Sequence, residues 1–319
     1  MQYFFKKFLI FLIPVVLYIL LVIFIDPYNY FTLSKGIVSN EIKRKIAYEI
    51  SNPLYELIEF EKQPSPYVLL GSSQTGIFTP DVVKEFTGHR FMNMSYGGGT
   101  MPEIISTFWE LDKYTELKEV YIGISFMDFN GSQYRNRVPE AIKIKSDFLS
   151  YIFSKSVLES TFLILKAVIF NIKVKIGRPD MSADKFWKYQ LDVTANRFLA
   201  THTYPAGYYE SLKKISEYCN KNNIKLVFFI PAGHVEVQKK IPEFNMQAGE
   251  NKFKEDLKKL GDVYDFNYPN ELTKERNNFS DPFHFKDEIA RTVIEELFKH
   301  NKNISIFSKC INCKGLKQP

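Results

Sequence analysis

Tyr67-Val68-Leu69-Leu70-Gly71-Ser72-Ser73-Gln74 sets an unbroken apolar run against a glycine and two hydroxyls. A short apolar run closed by a turn signal is the pattern of a strand buried on both faces. The glycine permits a tight turn, and a serine opening the next helix gains the positive end of that helix's dipole. Outward from this stretch the chain alternates short apolar strands with amphipathic helices. The predicted strands are Tyr67 to Leu70, Phe91 to Met94, Glu119 to Ile124, Ile224 to Ile230 and Val263 to Phe266. Helices are expected at about Pro102 to Tyr114, Tyr208 to Asn222, Phe253 to Leu260 and Lys286 to Lys299. Such alternation predicts a three-layer α/β domain built on a five-stranded parallel sheet.

The bulk numbers agree with a folded domain and exclude some chemistries. The 319 residues are 45% hydrophobic and 24% charged, enough to bury a core. A net charge of +6 does not suggest a nucleic-acid binder. Three cysteines, Cys219, Cys310 and Cys313, cannot build a disulfide framework, and a structural zinc site needs two more ligands than the Cys310/Cys313 pair offers. Neither a Walker motif nor a G-x-G-x-x-G is present, so no metal and no cofactor is expected.

Before the domain, Phe8 to Ile25 runs without a charge and as a helix would span about 27 Å, close to the hydrocarbon core of a bilayer. It reads as a single transmembrane anchor. The alternative, a cleaved signal peptide, usually has a shorter apolar region, and no small-x-small site precedes Asp26, Pro27 and Tyr28. Lys6 and Lys7 before the span keep the N-terminus cytoplasmic by the positive-inside bias, so the rest of the chain is expected outside. The expected organisation is a tip and anchor over 1–26, a stalk with a helical stretch over 27–66, the α/β domain over 67–300 and a mobile polar tail over 301–319. An insertion at about 134–203 carries the apolar run Thr161 to Phe170, followed by Lys173, Lys175 and Arg178. Lys166 interrupts that run, which is too short to cross hydrocarbon, so it reads as a core helix or a lid near the membrane surface.

In an open parallel sheet, ligands bind beyond the carboxyl ends of the strands, and the polar motifs fall there. Ser73, after the first strand, is the candidate nucleophile; an ordinary N-cap serine would look the same in isolation. After the second strand, Asn93-Met94-Ser95-Tyr96-Gly97-Gly98-Gly99-Thr100 offers backbone amides that can approach a ligand closely, Gly98 or Gly97 foremost. Asp281-Pro282-Phe283-His284 stands after the fifth strand and before the last helix. A serine hydroxyl is a poor nucleophile unless a histidine takes its proton, and a carboxylate beside that histidine fixes its tautomer. His284 is the candidate base and Asp281 its orienting partner. His234, after the fourth strand, and Tyr134 and Arg135, after the third, are candidate substrate contacts, though each also suits a plain surface position.

The order of serine after strand one, glycines after strand two and D-x-x-H before the last helix resembles the SGNH (GDSL-like) hydrolase family. The resemblance covers about Tyr67 to Lys299 without the insertion, with Gly71-Ser72-Ser73 where the family has Gly-Asp-Ser. It implies a flavodoxin-like α/β/α fold, Ser73 as nucleophile and Asp281 and His284 as its triad partners. It also implies an oxyanion hole from the Ser73 amide and Gly98, with Ser95 replacing the first glycine of the second block. The third block departs: the family offers Gly-x-Asn-Asp, whereas this chain reads Gly123-Ile124-Ser125-Phe126-Met127-Asp128-Phe129-Asn130. Asn130 is the candidate to swing in, and a missing donor there costs about 3 kcal/mol of transition-state stabilisation.

Membrane-anchored relatives with a Gly-Ser-Ser start look like the DltD, AlgJ and AlgX branches, which implies acyl transfer on an envelope polymer beside a membrane-bound O-acyltransferase. Two functions follow as expectations. One is an extracytoplasmic serine esterase or O-acyltransferase. The other is a non-catalytic polymer-binding scaffold for that membrane-bound partner.

Overall fold

The computed structural model describes residues 2–31, 38–171, 181–301 and 303–313; within them, the side chains of 2–6, 8 and 9 are also outside the description. The basic residues Lys173, Lys175 and Arg178, and the end of the expected tail, lie outside the described residues. The chain divides into two compact units, one of Met1–Gln63 with Arg137–Pro179, the other of Pro64–Asn136 with Asp180–Pro319.

The second unit is built on the sheet. Its strands are β1 (Tyr67–Gly71), β2 (Met92–Asn93), β3 (Glu119–Gly123), β4 (Lys225–Ile230), β5 (Asp262–Asp265), β6 (Phe279–Asp281), β7 (His284–Phe285) and β8 (Ile306–Ser308). The main sheet runs β2-β1-β3-β4-β5-β8, with β6 and β7 forming a separate hairpin. The first five strands are parallel, and β8 adds antiparallel to β5, pairing Ile306 with Asp265 and Ser308 with Val263. The sheet therefore has six strands rather than the expected five, because a piece of the expected tail returns to cover the edge of β5.

Val68, Leu69, Leu70, Ile122 and Phe228 are fully buried, as strands covered on both faces require. Two helix pairs supply that cover: Pro80–Thr87 with Asp287–Lys299, and Met101–Leu111 with Ala206–Lys221. They fall on opposite faces because the β1-to-β2 connection runs one way across the sheet while the β2-to-β3 and β3-to-β4 connections run the other, each crossover right-handed. Phe298 meets Phe91 and Tyr121 on one side, while Tyr218 meets Phe108 and Trp109 on the other. Helix Met101–Leu111 starts at a capping box between Thr100 and Glu103 with proline in the first turn. The strand order reverses beside β1, so the ends of β1 and β3 flank the switch point where a flavodoxin-like sheet offers its ligand crevice.

The first unit is helical. The N-terminal helix Gln2–Ile25 and the insertion helix Lys155–Phe170 share a cluster of Ile25, Val38, Ile46 and Ile164, joined by Leu21, Ile42, Leu163 and Ala167. Residues 38–62, expected as a stalk with a helical stretch, do carry helices, and Asn52–Lys62 is buried along most of its length. The insertion is split: 137–171 belongs to this unit, and 181–203 to the sheet unit. Tyr28 bonds Ser160 at 3.0 Å, Tyr151 donates to Asp26 at 3.3 Å, and Lys145 reaches Glu61 at 2.9 Å. Among the described residues no helix is long and apolar enough to cross a membrane.

Candidate active site at the end of strand one

β1 ends in Gly71, and its register neighbour on β3 is Gly123, so two turns leave the sheet side by side. Ser72, with an extended backbone, precedes the short helix Ser73–Gly76, so Ser73 opens that helix at the strand end. The Asn93 to Thr100 segment packs onto this turn. Tyr96 N–H donates to Gly71 O at 3.2 Å, and Asn93 Nδ2 holds Thr75 O and Phe78 O at 2.8 and 2.9 Å. Two glycines are needed there for different reasons. Gly98 has φ +58°, and a Cβ on Gly99 would stand 3.0 Å from Gly71 O and 3.2 Å from Ser72 Cα.

Asp281 and His284 face each other across the β6–β7 hairpin, as the last residue of one strand and the first of the other. The hairpin is tied from both sides: Gln74 Nε2 donates to Phe283 O at 2.9 Å, and His234 N–H donates to Pro282 O at 2.8 Å. This seats the His284 ring between a carboxylate and a hydroxyl. Ser73 Oγ lies 2.8 Å from His284 Nε2, and His284 Nδ1 lies 2.8 and 2.9 Å from the two oxygens of Asp281. Asp281 is 2% exposed and His284 22%, so the carboxylate works in a low-dielectric setting while the ring edge stays accessible. With the proton on Nδ1, held by Asp281, Nε2 accepts from the Ser73 hydroxyl. The arrangement can deprotonate a serine as it attacks an electrophilic carbon and return the proton to a leaving group.

The other candidates lie elsewhere or do other work. Asn130, expected as an oxyanion donor, is fully buried; its Nδ2 donates to Phe198 O, and its Oδ1 accepts from the amides of Ser132 and Thr203. The amide is consumed in bracing loops. His234, expected at the substrate, is buried against Trp187 and Phe279, caps helix Val235–Glu243 and meets Lys274 O at 3.2 Å. Burial pushes its imidazole below the usual range. Arg135 donates to Gly98 O at 2.6 Å, which fixes the glycine loop, and Tyr134 is exposed.

Asp128 is the residue that sequence reasoning missed. Its Oδ2 accepts from Ser72 Oγ at 3.0 Å and Ser125 Oγ at 2.8 Å, which joins the turns after β1 and β3. Burial pushes this carboxyl up, against the hydroxyl donors and the His284 charge that pull it down. Its sequence signal is its place in the third block, two residues before Asn130.

No family model matches the chain, and no curated protein matches it. Among solved structures it is similar to a GDSL-like lipase from Bacteroides thetaiotaomicron, at 12% identity and a TM-score of 0.39, covering 79% of this chain and 96% of that one. It is also similar to a protein from Desulfitobacterium hafniense provisionally described as a lipolytic protein of the G-D-S-L family, at 13% identity and a TM-score of 0.36, covering 72% and 95%. These are distant likenesses, and the chemistry of the site rests on its own geometry.

Proposed function

We propose that the chain is an SGNH-type serine esterase or O-acyltransferase, acting outside the cell membrane on acyl groups of an envelope polymer. The observation that carries the reading is the unbroken relay from the Ser73 hydroxyl through His284 to Asp281, with contacts of 2.8 Å on each side of the ring. In this mechanism Ser73 Oγ attacks the ester carbonyl while His284 Nε2 takes its proton. Asp281 stabilises the imidazolium. The tetrahedral intermediate collapses, the alkoxide leaves with the proton from His284, and an acyl-serine remains. Water or an acceptor hydroxyl then resolves it by the same steps in reverse, giving hydrolysis or transfer.

Oxyanion stabilisation falls to the Ser73 amide and the glycine loop at Gly98, since Asn130 is committed elsewhere. Placement outside the membrane is supported by the uncharged stretch Phe8 to Ile25 after Lys6 and Lys7. A Cys310–Cys313 disulfide suits an oxidising compartment. A scaffold for a membrane-bound acyltransferase needs no such relay. Labelling of the full chain with a fluorophosphonate tests the reading: one adduct on Ser73, lost in Ser73→Ala and in His284→Ala, is expected. An unlabelled wild-type chain, with its fold intact, overturns it.

A further inference from the structure

The insertion helix Lys155–Phe170 has a buried apolar face and, on its exposed side, a second apolar stripe flanked by Lys155, Glu159 and Lys166. One, with Val157, Ile164 and Ala167, turns into the core of the first unit. The other presents Leu158, Phe162 and Ile169, spaced for one helical stripe, together with Phe170 at the helix end. Phe162, Ile169 and Phe170 are 51%, 61% and 66% exposed, and Phe153, from the preceding helix, is 57% exposed. Scattered exposed hydrophobics are ordinary, but a stripe of large residues on one element marks an interaction surface.

The N-terminal helix supplies the occupant. Its C-terminal third packs on this same element: Leu21 and Ile25 join Ile164 in one cluster, Tyr18 donates to Ile152 O at 2.6 Å, and the Tyr18 and Phe153 rings are 6.2 Å apart. Seven residues separate Tyr18 from Ile25, about 10 Å along a helix. If Phe8 to Ile25 spans hydrocarbon, as the anchor reading above holds, Ile152 and Phe153 therefore sit about 10 Å inside its outer boundary. The exposed face of the N-terminal helix, with Leu17, Leu20 and Phe24, is continuous in chemistry with that of the insertion helix.

We infer that the insertion helix and the residues leading into it, Phe148 to Phe153, are embedded in the outer leaflet of the bilayer beside the N-terminal helix, with lipid acyl chains as their partner. Lys155, Glu159 and Lys166 also face out; the long lysine stems let their ammoniums reach the headgroups, and Lys155 and Glu159, four residues apart, are spaced to offset each other's charge. The unit is then held by a span and by a second, non-spanning wedge, which fixes its rotation about the span.

The test uses the full chain in phosphatidylethanolamine/phosphatidylglycerol vesicles. Cys219 is buried and Cys310 and Cys313 are paired, so a cysteine introduced by Phe162→Cys or Ile169→Cys takes an environment-sensitive fluorophore selectively. Lys214→Cys, on the exposed side of helix Ala206–Lys221, is the control. Acyl-chain nitroxide lipids should quench the 162 and 169 probes at least about twofold more than the 214 probe, as expected for an apolar face buried in the acyl boundary, and aqueous iodide should do the reverse. Alkaline extraction of the same vesicles separates the two failures. A chain released by alkali defeats the anchor reading and the inference with it. A chain that stays bound while its probes answer to iodide, or to neither quencher, defeats the inference alone, the last result meaning that protein covers the face.

Discussion

The two units place the same kind of residue differently. In the sheet unit the large apolar side chains of the central strands point inward, with Phe228 and Phe229 fully buried. In the helical unit, large apolar residues occupy both sides of the insertion helix, Ile164 fully buried and Ile169 facing out. A helix on the surface of a water-soluble core needs one apolar stripe; a helix with two needs a second apolar surrounding. The proposed chemistry belongs to the sheet unit, and the proposed attachment to the helical unit.

The largest expected effect tests the first half of that contrast. Ser73→Ala or His284→Ala should lower ester turnover by about 10⁴-fold with an unchanged melting profile, because a triad acts as one device. Turnover that survives in Ser73→Ala would end the reading of the sheet unit as a serine enzyme. Next comes packing. Phe228→Ala should destabilise the sheet unit by about 3–5 kcal/mol in chemical denaturation, whereas Phe162→Ser in detergent should change the helical unit by less than about 0.5 kcal/mol. Equal costs would erase the distinction between inward and outward apolar residues.

A smaller effect concerns Glu56, which burial pushes up to about 7 although Arg44 lies 3.2 Å away. Its native proton is held more tightly than in the unfolded chain. The stability it contributes is therefore complete below the ordinary carboxylate value and is lost as pH rises through about 7. Hydrogen exchange in 52–62 should show faster opening at pH 8 than at pH 5 after correction for intrinsic rates, and Glu56→Gln should flatten the difference. The smallest effect concerns Asp128. Since burial raises its carboxyl, Asp128→Asn should stabilise the sheet unit at neutral pH, with the gain fading in acid where the aspartate is already neutral. A gain that persists unchanged in acid would remove ionisation as its cause.

Legibility follows the same division. Val68 to Leu70 reads as a buried strand because both of its faces are covered, and Ser73, Asp281 and His284 are legible as candidates because strand ends are where loops converge. Asn130 misled because an asparagine near the expected place says nothing of where its amide points; here it satisfies Ser132, Thr203 and Phe198 in irregular backbone. His234 misled similarly, since a polar ring after β4 caps a helix under Trp187. β8 left no readable signal: Ile306 to Ser308 is too short for periodicity, and its pairing to β5 is non-local. The stretch 38–62 mixes charge and apolar residues densely, and only tertiary packing, with Glu56 and Lys43 both buried, separates a packed helix from a stalk.

The central claim is that Ser73 is a working nucleophile, and the direct measurement is the intact mass of the full chain in detergent, wild type and Ser73→Ala, after brief exposure to p-nitrophenyl acetate and acid quench. The account predicts one acetyl adduct mapping to Ser73 and absent from the variant. A wild-type mass that matches the variant's, with no adduct at Ser73, would contradict it.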